Sequence, residues 1–281
     1  EQGKRAGHIE KILFHKFWKG TDRDTVEAQV MSTLDLIGVG TEYDFIRELA
    51  MERRGLQGRM AINDKTGISY PVYEVQQSPL VSIIIPSKDN VEILKQCIRS
   101  VYEHTTYPNY EIIVVDNGSS AQARMALQNF QEECAFIYLY EPMDFNFSVM
   151  CNLGAKKAGG EYLLLLNDDM EVLADCADWL DRMVGQASLR HVGAVGAKLL
   201  YPNSTLIQHA GVTNTISGPG HKLKGLDDTQ SYYYGRNKLV YDMIGVTAAC
   251  LLIRTKVYRA LGGLYEGLRV AYNDVDLCFR L

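Results

Sequence analysis

The chain has 281 residues, a formal net charge of −5 and an apolar content of 47%. These values predict a globular protein with a sizeable core, built as one large domain or as one domain with a smaller partner. The acidic balance leaves no basic face for nucleic acid, and no apolar run in the sequence approaches the ~20 residues that a membrane-spanning helix needs.

The cysteines are scattered along the chain, and none forms a C-x-x-C pair. Such spacing predicts buried thiols in a reducing compartment and disfavours a disulfide framework or a zinc site. The six positions are Cys97, Cys134, Cys151, Cys176, Cys250 and Cys278.

Residues 1–79 are predicted to form a helical lead-in followed by a linker. The stretches "TVEAQVMSTLDLIGVG" (25–40) and "TEYDFIRELAMERRGL" (41–56) carry apolar residues at three-to-four spacing and end near glycine, as helices do. From Tyr70 to Pro79 the composition changes to that of an extended linker.

From residue 80 onward, apolar strands alternate with helical segments of ten to fifteen residues. The strands are "LVSIIIPS" (80–87), "YEIIVVD" (110–116), "AFIYLY" (135–140) and "EYLLLL" (161–166), and "IGVTAACLLI" (244–253) reads as a further core strand. The alternation predicts βαβ units in an α/β fold with a mainly parallel sheet and flanking helices. The near-continuous apolar character of these strands fits a sheet that is covered on both faces.

Polar residues follow three of these strands at the point where each one ends. Pro86-Ser87-Lys88-Asp89 end the first strand, Asp116 ends the second, and Asn167-Asp168-Asp169 follow the leucine-rich strand. Ligands of open α/β sheets bind at the carboxyl ends of the strands. Asp and Asn often do no more than terminate a strand, but three such endings in one sheet favour a ligand site.

The usual nucleotide signatures are missing from the sequence. No G-x-G-x-x-G follows the first strand, and there is no G-x-x-x-x-G-K-[ST] motif. Carboxylates repel phosphate, but a hard divalent cation such as Mg²⁺ or Mn²⁺ can bridge carboxylate and diphosphate oxygens. The residues at the strand ends therefore predict a site that binds a nucleotide diphosphate together with a divalent metal ion.

A second acidic cluster lies in "AYNDVDLCFRL" (271–281), which holds Asp274 and Asp276. An ionised aspartate can act as a base when it lies against a hydroxyl group. The same residues could instead begin a helix, where Asn273 or Asp274 would cap the first turn and Asp276 would complement the helix dipole. Both interpretations remain open at this point.

In order along the chain, the motifs "VSIIIPSKDN", "YEIIVVDNGSS", "FNFSVMCNLGAKKAGGEYLLLLNDDMEV", "IQHAGV", "GHKLKG" and "AYNDVDLCFRL" resemble inverting nucleotide-sugar glycosyltransferases of family 2. The sequence is most similar to the bacterial branch that builds O-antigen, rhamnan and other cell-surface polysaccharides. The resemblance runs from about Leu80 to Leu281. Each motif is modest evidence alone, whereas the ordered set is specific. It implies the GT-A fold, a Rossmann-like nucleotide-diphospho-sugar half merged with an acceptor half.

The resemblance implies a role for each strand end. Pro86, Ser87 and Lys88 would cup the base and ribose of the nucleotide, and Asp116 would contact the pyrimidine. The D-x-D motif of the family falls on residues 167–169, with Asn in the first position. Asp169 would then bind the metal, and Asp168 would face the ribose or the diphosphate.

The resemblance also implies the acceptor side of the site. The family's E-D motif falls on Asn273-Asp274, so Asp274 would be the catalytic base of a single displacement at the anomeric carbon. His209 and His221 match positions where this branch also carries histidine. They, with Asn273 and Asp276, would lie near the donor or acceptor sugar, although a histidine in a loop without a ligand is an equally good interpretation.

The expected donor is a UDP- or dTDP-sugar, and the expected acceptor is a glycan or lipid-linked glycan at the cytoplasmic face of the cell membrane. A different class of function is a non-catalytic GT-A module that binds sugar nucleotide or glycan within a larger protein. A nicotinamide-dependent oxidoreductase is disfavoured because the glycine fingerprint is missing.

The ends of the sequence suggest a piece of a longer protein. Leu281 falls inside a predicted helix, so we expect the GT-A domain, residues 80–281, to be truncated before the histidine that completes the family's metal shell. The stretch "GHIEKILFHKFWKG" (7–20) resembles the tail of a sister domain, with His15 as that histidine. A second glycosyltransferase domain upstream is therefore expected, and an upstream region without strand-end carboxylate motifs would contradict this.

Overall fold

The computed structural model describes residues 42–63, 67–232 and 235–281. The predicted helix over residues 25–40 and the stretch around His15 lie outside these residues. Within the described ranges, no helix combines the length and the apolar character needed to cross a membrane.

The helices are α1 (Glu42–Arg53), α2 (Val91–Glu103), α3 (Ala121–Phe130), α4 (Phe147–Lys157), α5 (Trp179–Ser188), α6 (Thr255–Ala260) and α7 (Asn273–Arg280), with 3₁₀ turns at Ala174–Cys176 and Arg236–Lys238. The strands are β1 (Gly58–Ile62), β2 (Ser69–Tyr73), β3 (Val81–Ser87), β4 (Tyr110–Asp116), β5 (Ile137–Tyr140), β6 (Tyr162–Leu166), β7 (Ala194–Gly196), β8 (Leu199–Leu200), β9 (Ile207–His209), β10 (Val212–Thr215), β11 (Gly218–His221) and β12 (Cys250–Arg254).

A six-stranded sheet with the order β5-β4-β3-β6-β12-β7 forms the centre of the fold. The first four strands of this order run parallel, and β12 runs antiparallel to both β6 and β7. The predicted α/β architecture with a mainly parallel sheet is therefore confirmed. Because β4, β3 and β6 are neighbours, their polar carboxyl ends lie side by side, as the sequence predicted.

Both faces of the sheet are covered by apolar side chains. On one face Ile83 and Ile85 of β3 join a cluster with α2 and α5, and on the other Ile84 packs with Met150 and Cys151 of α4. The three isoleucines have no exposed surface. Burial on both sides explains why these strands are apolar without alternation.

The structure corrects the prediction for the region before residue 80. Helix α1 is confirmed and ends before Gly55, whose φ of 67° suits a residue without a side chain. Residues 58–62 and 69–73, predicted as helix and linker, instead pair as the antiparallel strands β1 and β2. Strand β2 packs against α5, where a Cβ on Gly185 would lie 2.7 Å from the Tyr73 carbonyl oxygen. Tertiary packing of this kind overrides a weak local helical pattern.

The predicted strand over residues 244–253 is also shorter than expected. Strand β12 begins only at Cys250, which pairs with Leu166 at the end of β6. The N–H groups of Thr247 and Ala248 are bound by side chains rather than by a neighbouring strand. Residues 244–249 therefore form a loop at the edge of the sheet where the parallel strands end.

Gly154 allows α4 to approach the sheet closely. A Cβ at this position would overlap the Ile84 side chain and would lie 3.3 Å from Val115 Cγ2. We expect Gly154→Ala to lower the free energy of unfolding in urea by about 1–2 kcal/mol, because overpacking outweighs the better helix propensity of alanine. Gly159→Ala is the matched control, since its Cβ would meet nothing closer than 3.5 Å. Equal stability of the two variants would contradict the close approach.

Candidate active site

The ends of β3 and β6 are joined by a direct hydrogen bond. The hydroxyl of Ser87 donates to Asp168 Oδ2 at 2.7 Å, and the amide of Asn90 reaches the same oxygen at 3.4 Å. Ser87 is buried, whereas Asp168 is partly exposed. The structure thus brings two of the predicted nucleotide-binding residues together. Pro86 is buried inside β3 opposite Val115, and Lys88 is exposed just beyond the strand.

Asp169 differs from its neighbour in having a free side chain. Its carboxylate is exposed, and no hydrogen bond or ion pair reaches it from the described residues. Hard cations such as Mg²⁺ bind one or two protein carboxylates and complete their shell with substrate phosphates and water. The oxygens of Asp169 fit that requirement, with Asp168 alongside. Within residues 42–63, 67–232 and 235–281, no group of three or more His, Cys, Asp or Glu side chains converges on a metal position.

Asp116 is fully buried beneath the end of β4. Its Oδ1 accepts the backbone N–H groups of Gly118 and Ser119 at 2.9 and 2.8 Å, and the Tyr138 hydroxyl donates to Oδ2. Burial and this hydrogen bond raise the pKa of Tyr138 well above its usual range, so the hydroxyl remains a donor. Asp116 therefore shapes the turn after β4, and its predicted contact with a pyrimidine stays a prediction.

The turns after β3 and β4 are held against each other. The Asp89 N–H donates to Ser119 Oγ, and Asp89 Oδ1 accepts the Ser120 N–H, each at 2.8 Å. Asp89 adopts a left-handed φ of 57°, which an aspartate tolerates better than most residues. The sequence predicted Asp89 only as one of the polar residues at the end of the first strand. The structure shows that it fixes the distance between two of the strand ends.

Asp274 lies in the first turn of α7 with both carboxylate oxygens in use. Oδ2 accepts the Ala248 N–H at 3.0 Å, and Oδ1 accepts the Val275 N–H at 2.8 Å. Each oxygen retains a lone pair, and the side chain is partly exposed. A helix does begin here, but its N-cap is Tyr272, so the prediction that Asn273 or Asp274 caps it is wrong. The position leaves Asp274 able to accept a proton.

The two residues next to Asp274 that were placed near the sugar occupy different environments. Asn273 is 4% exposed, and its Oδ1 accepts the Asp274 N–H at 2.9 Å. Asp276 pairs with Arg280 at 2.7 Å and lines a cleft of about 580 Å³ beside Glu266. The structure therefore packs Asn273 beneath Asp274, and it does not join Asp276 to the histidines.

His209 and His221 form a direct pair. Their Nδ1 atoms are 2.8 Å apart, and His209 Nε2 accepts the Thr247 N–H at 3.3 Å. His209 is 1% exposed, while His221 is exposed. Burial, followed by the proximity of His221, lowers the pKa of His209 to about 4, and Asp274 opposes this shift. His209 is therefore neutral near pH 7.

The backbone of residues 247–249 connects these groups. Thr247 donates to His209 and Ala248 donates to Asp274, while the Ala249 carbonyl accepts the Asn167 N–H at 3.1 Å. The histidine pair, the candidate base and the strand end that carries Asp169 thus share one three-residue segment. Sequence reasoning missed this segment because its small apolar residues resemble the strand that follows. The available signal was Gly245, which often marks an interruption in a strand pattern.

Solved structures with this architecture define the class of fold. The chain resembles the mannosyltransferase PcManGT from Pyrobaculum calidifontis, solved in complex with GDP-Man and Mn²⁺, with a TM-score of 0.53 and 15% sequence identity. The match covers 90% of this chain and 61% of that one. The fold is that of GT-A glycosyltransferases, as the resemblance implied.

Sequence comparison identifies the family. Residues 82–262 match the model of glycosyl transferase family 2, and the chain belongs to that family. It is 36% identical over 285 residues to the O-antigen biosynthesis protein RfbC of Myxococcus xanthus, and 38% identical over 300 residues to the uncharacterized protein y4gI of Sinorhizobium fredii. Both alignments cover all of this chain but only 21% and 30% of those proteins.

The buried Asp116 carboxylate depends on the Tyr138 hydroxyl. Tyr138→Phe leaves Oδ2 without that donor, so we expect the free energy of unfolding in urea to fall by about 1–3 kcal/mol. Tyr140→Phe is the matched control on the same strand, because Tyr140 is exposed and its hydroxyl bonds no described residue. We expect it to change stability by no more than about 0.5 kcal/mol. A similar loss in both variants would show that the Asp116 contact is not the cause.

Proposed function

We propose that the chain is a metal-dependent, inverting glycosyltransferase domain that moves a sugar from a UDP- or dTDP-sugar to a hydroxyl group of a glycan. The observation that carries this proposal is the shared 247–249 segment. It ties Asp274, the candidate base, to the end of β6, where Asp169 offers a free carboxylate. Sugar transfer from a nucleotide diphosphate requires an acidic cation site and a base that lie close together.

On the donor side, the strand ends hold the nucleotide diphosphate. Ser87 fixes the orientation of Asp168, so the two residues can present oxygen atoms to the ribose or the diphosphate without first ordering their side chains. Asp169 would hold the Mn²⁺ or Mg²⁺ ion, and the ion would neutralise the negative charge on the leaving diphosphate. Preorganised side chains reduce the entropy cost of binding.

On the acceptor side, Asp274 removes a proton. Its carboxylate takes the proton of the acceptor hydroxyl, whose oxygen forms a bond to the anomeric carbon while the bond from that carbon to the diphosphate oxygen breaks. Attack opposite the leaving group inverts the anomeric configuration. The Ala248 and Val275 N–H groups hold the carboxylate in one orientation, which suits a positioned general base.

The wider role rests on the relatives. The name of RfbC, an O-antigen biosynthesis protein, supports synthesis of cell-surface polysaccharide. The acceptor in this proposal is a glycan or lipid-linked glycan. A site at the cytoplasmic face of the membrane would give access to such an acceptor. Because this chain spans only part of its relatives, a second glycosyltransferase domain in the full protein is part of the proposal. The Mn²⁺ in the PcManGT complex supports the cation.

Metal-dependent nucleotide binding is the first test. Calorimetric titration of UDP and dTDP should show binding that requires Mn²⁺, and Asp169→Asn should weaken it at least about tenfold, since a carboxylate ligand of the ion is lost. Glu171→Gln is the matched control, because Glu171 is exposed two residues further along and contacts Gln96 instead. Binding that ignores Mn²⁺ would contradict the cation site. No binding of either nucleotide would favour a non-catalytic module.

The candidate base makes a separate prediction. Asp274→Asn should leave Mn²⁺-dependent nucleotide binding unchanged and reduce sugar transfer by a factor of about 10²–10⁴, because the amide keeps the shape but cannot accept the proton. The measurement is the rate of nucleotide release from the donor that binds, in the presence of acceptor glycan. A rate near that of the wild type would exclude Asp274 as the base.

A further inference from the structure

The two histidines have a defined arrangement of protons. His209 Nε2 accepts the Thr247 N–H, so in the neutral ring the proton must lie on Nδ1. That Nδ1–H faces His221 Nδ1 at 2.8 Å, which must then act as the acceptor. His221 consequently carries its own proton on Nε2. The assignment follows from the hydrogen-bond network, because only one of the two facing nitrogen atoms can hold a proton.

The outer nitrogen of His221 is free to bind a ligand. His221 is exposed, and the only hydrogen-bond partner of its ring among the described residues is His209. His209, by contrast, is 1% exposed and has both ring nitrogens occupied. A buried ring with a fixed tautomer therefore supports an exposed ring with a free N–H donor. In metal sites, residues behind the ligands orient those ligands through hydrogen bonds in the same way.

The pair lies beside the candidate base. His209 and Asp274 bind the N–H groups of consecutive residues, Thr247 and Ala248, and the charge of Asp274 acts on His209. The transferred sugar must lie between the diphosphate at Asp169 and the base at Asp274. His221 is thus joined through His209 to the segment that borders this position.

We infer that His209 is a positioning residue that holds His221 in the tautomer protonated on Nε2, with that N–H donated to an oxygen of the donor's glycosyl group. The inference rests on the proposed function and specifies which part of the donor His221 contacts. An N–H donor in a fixed position discriminates sugar hydroxyl patterns, because a site built to bind a hydroxyl rejects a sugar that lacks it.

The tautomer of His221 provides a readout of the pair. A proton on His221 Nδ1 would face the His209 Nδ1–H, so the pair favours the His221 tautomer that carries its proton on Nε2. Other charged groups near the pair are Asp274, Lys222 and, across the Tyr241 ring that Lys222 also contacts, Arg236. These groups remain in place when only His209 is changed, so a difference between variants reports the contact with His209.

Two substitutions at His209 test the roles of its two ring nitrogens separately. An asparagine amide can place its N–H where Nδ1–H lies, whereas a glutamine amide reaches the Nε2 position and leaves the Nδ1 position empty. We expect neutral His221 to keep its proton on Nε2 in His209→Asn and to populate both tautomers in His209→Gln, which lacks the donor that faces His221 Nδ1. Nitrogen-15 NMR of the ring nitrogens distinguishes the two tautomers. Equal tautomer populations of His221 in both variants would overturn the positioning role.

The same spectra test the tautomers and the ligand. The wild type should show His209 protonated on Nδ1 and His221 on Nε2, and the reverse assignment would overturn the inference. With Mg²⁺, the sugar nucleotides UDP-glucose, UDP-galactose and dTDP-rhamnose are compared with bare UDP and dTDP. The His221 Nε2 signal should shift with a sugar nucleotide that binds and not with the bare nucleotide.

The outcomes distinguish this inference from the proposed function. Binding of a sugar nucleotide without any shift at His221, or an equal shift with the bare nucleotide, would overturn the glycosyl contact while the glycosyltransferase proposal stands. If calorimetry finds no binding of any of these nucleotides with metal, the proposed function fails and the ligand contact fails with it. The His221 tautomers in the wild type and in the two variants would still decide the positioning role.

Discussion

The arrangement of the candidate site depends on three backbone groups that have no strand partner. Residues 247–249 enter β12 at the edge of the sheet, and their polar groups bind His209, Asp274 and Asn167 instead of another strand. Buried backbone groups require partners, so these bonds are obligatory rather than incidental. Because the three partners come from β9, α7 and the end of β6, satisfying one short segment aligns three distant parts of the chain.

The three aspartates at the strand ends have different roles because their surroundings differ. Asp116 has no exposed surface and three hydrogen-bond donors, so it stabilises the turn after β4. Asp168 is held by Ser87, and Asp169 contacts no donor among the described residues. Burying a charge without partners is costly, whereas an exposed, unpaired carboxylate loses little solvation when it binds a cation. The buried Asp116 is therefore part of the scaffold, and the exposed Asp169 is the candidate metal ligand.

The sequence predicted the parallel strands and their polar ends because β-branched and leucine-rich runs leave few other structures available. It could not predict the pairing of β1 with β2, whose formation depends on packing against α5. The sequence also could not distinguish residues 244–249 from β12, because an apolar run does not show which backbone N–H groups bind side chains instead of a neighbouring strand. The pairing of His209 with His221 depends on the spatial placement of β9 and β11, which spacing alone does not reveal.

The reversed direction of β12 has a consequence for how this architecture can vary. The chain leaves the sheet after Gly196 and returns at Cys250, and these two points are adjacent because the Ala197 N–H bonds the Cys250 carbonyl. The segment that joins them carries both histidines, and its two ends are neighbours. Replacement of that segment by the corresponding one of a related chain would change the surroundings of the histidine pair and would leave the parallel strands intact. This part of the chain can thus vary independently of the four parallel strands.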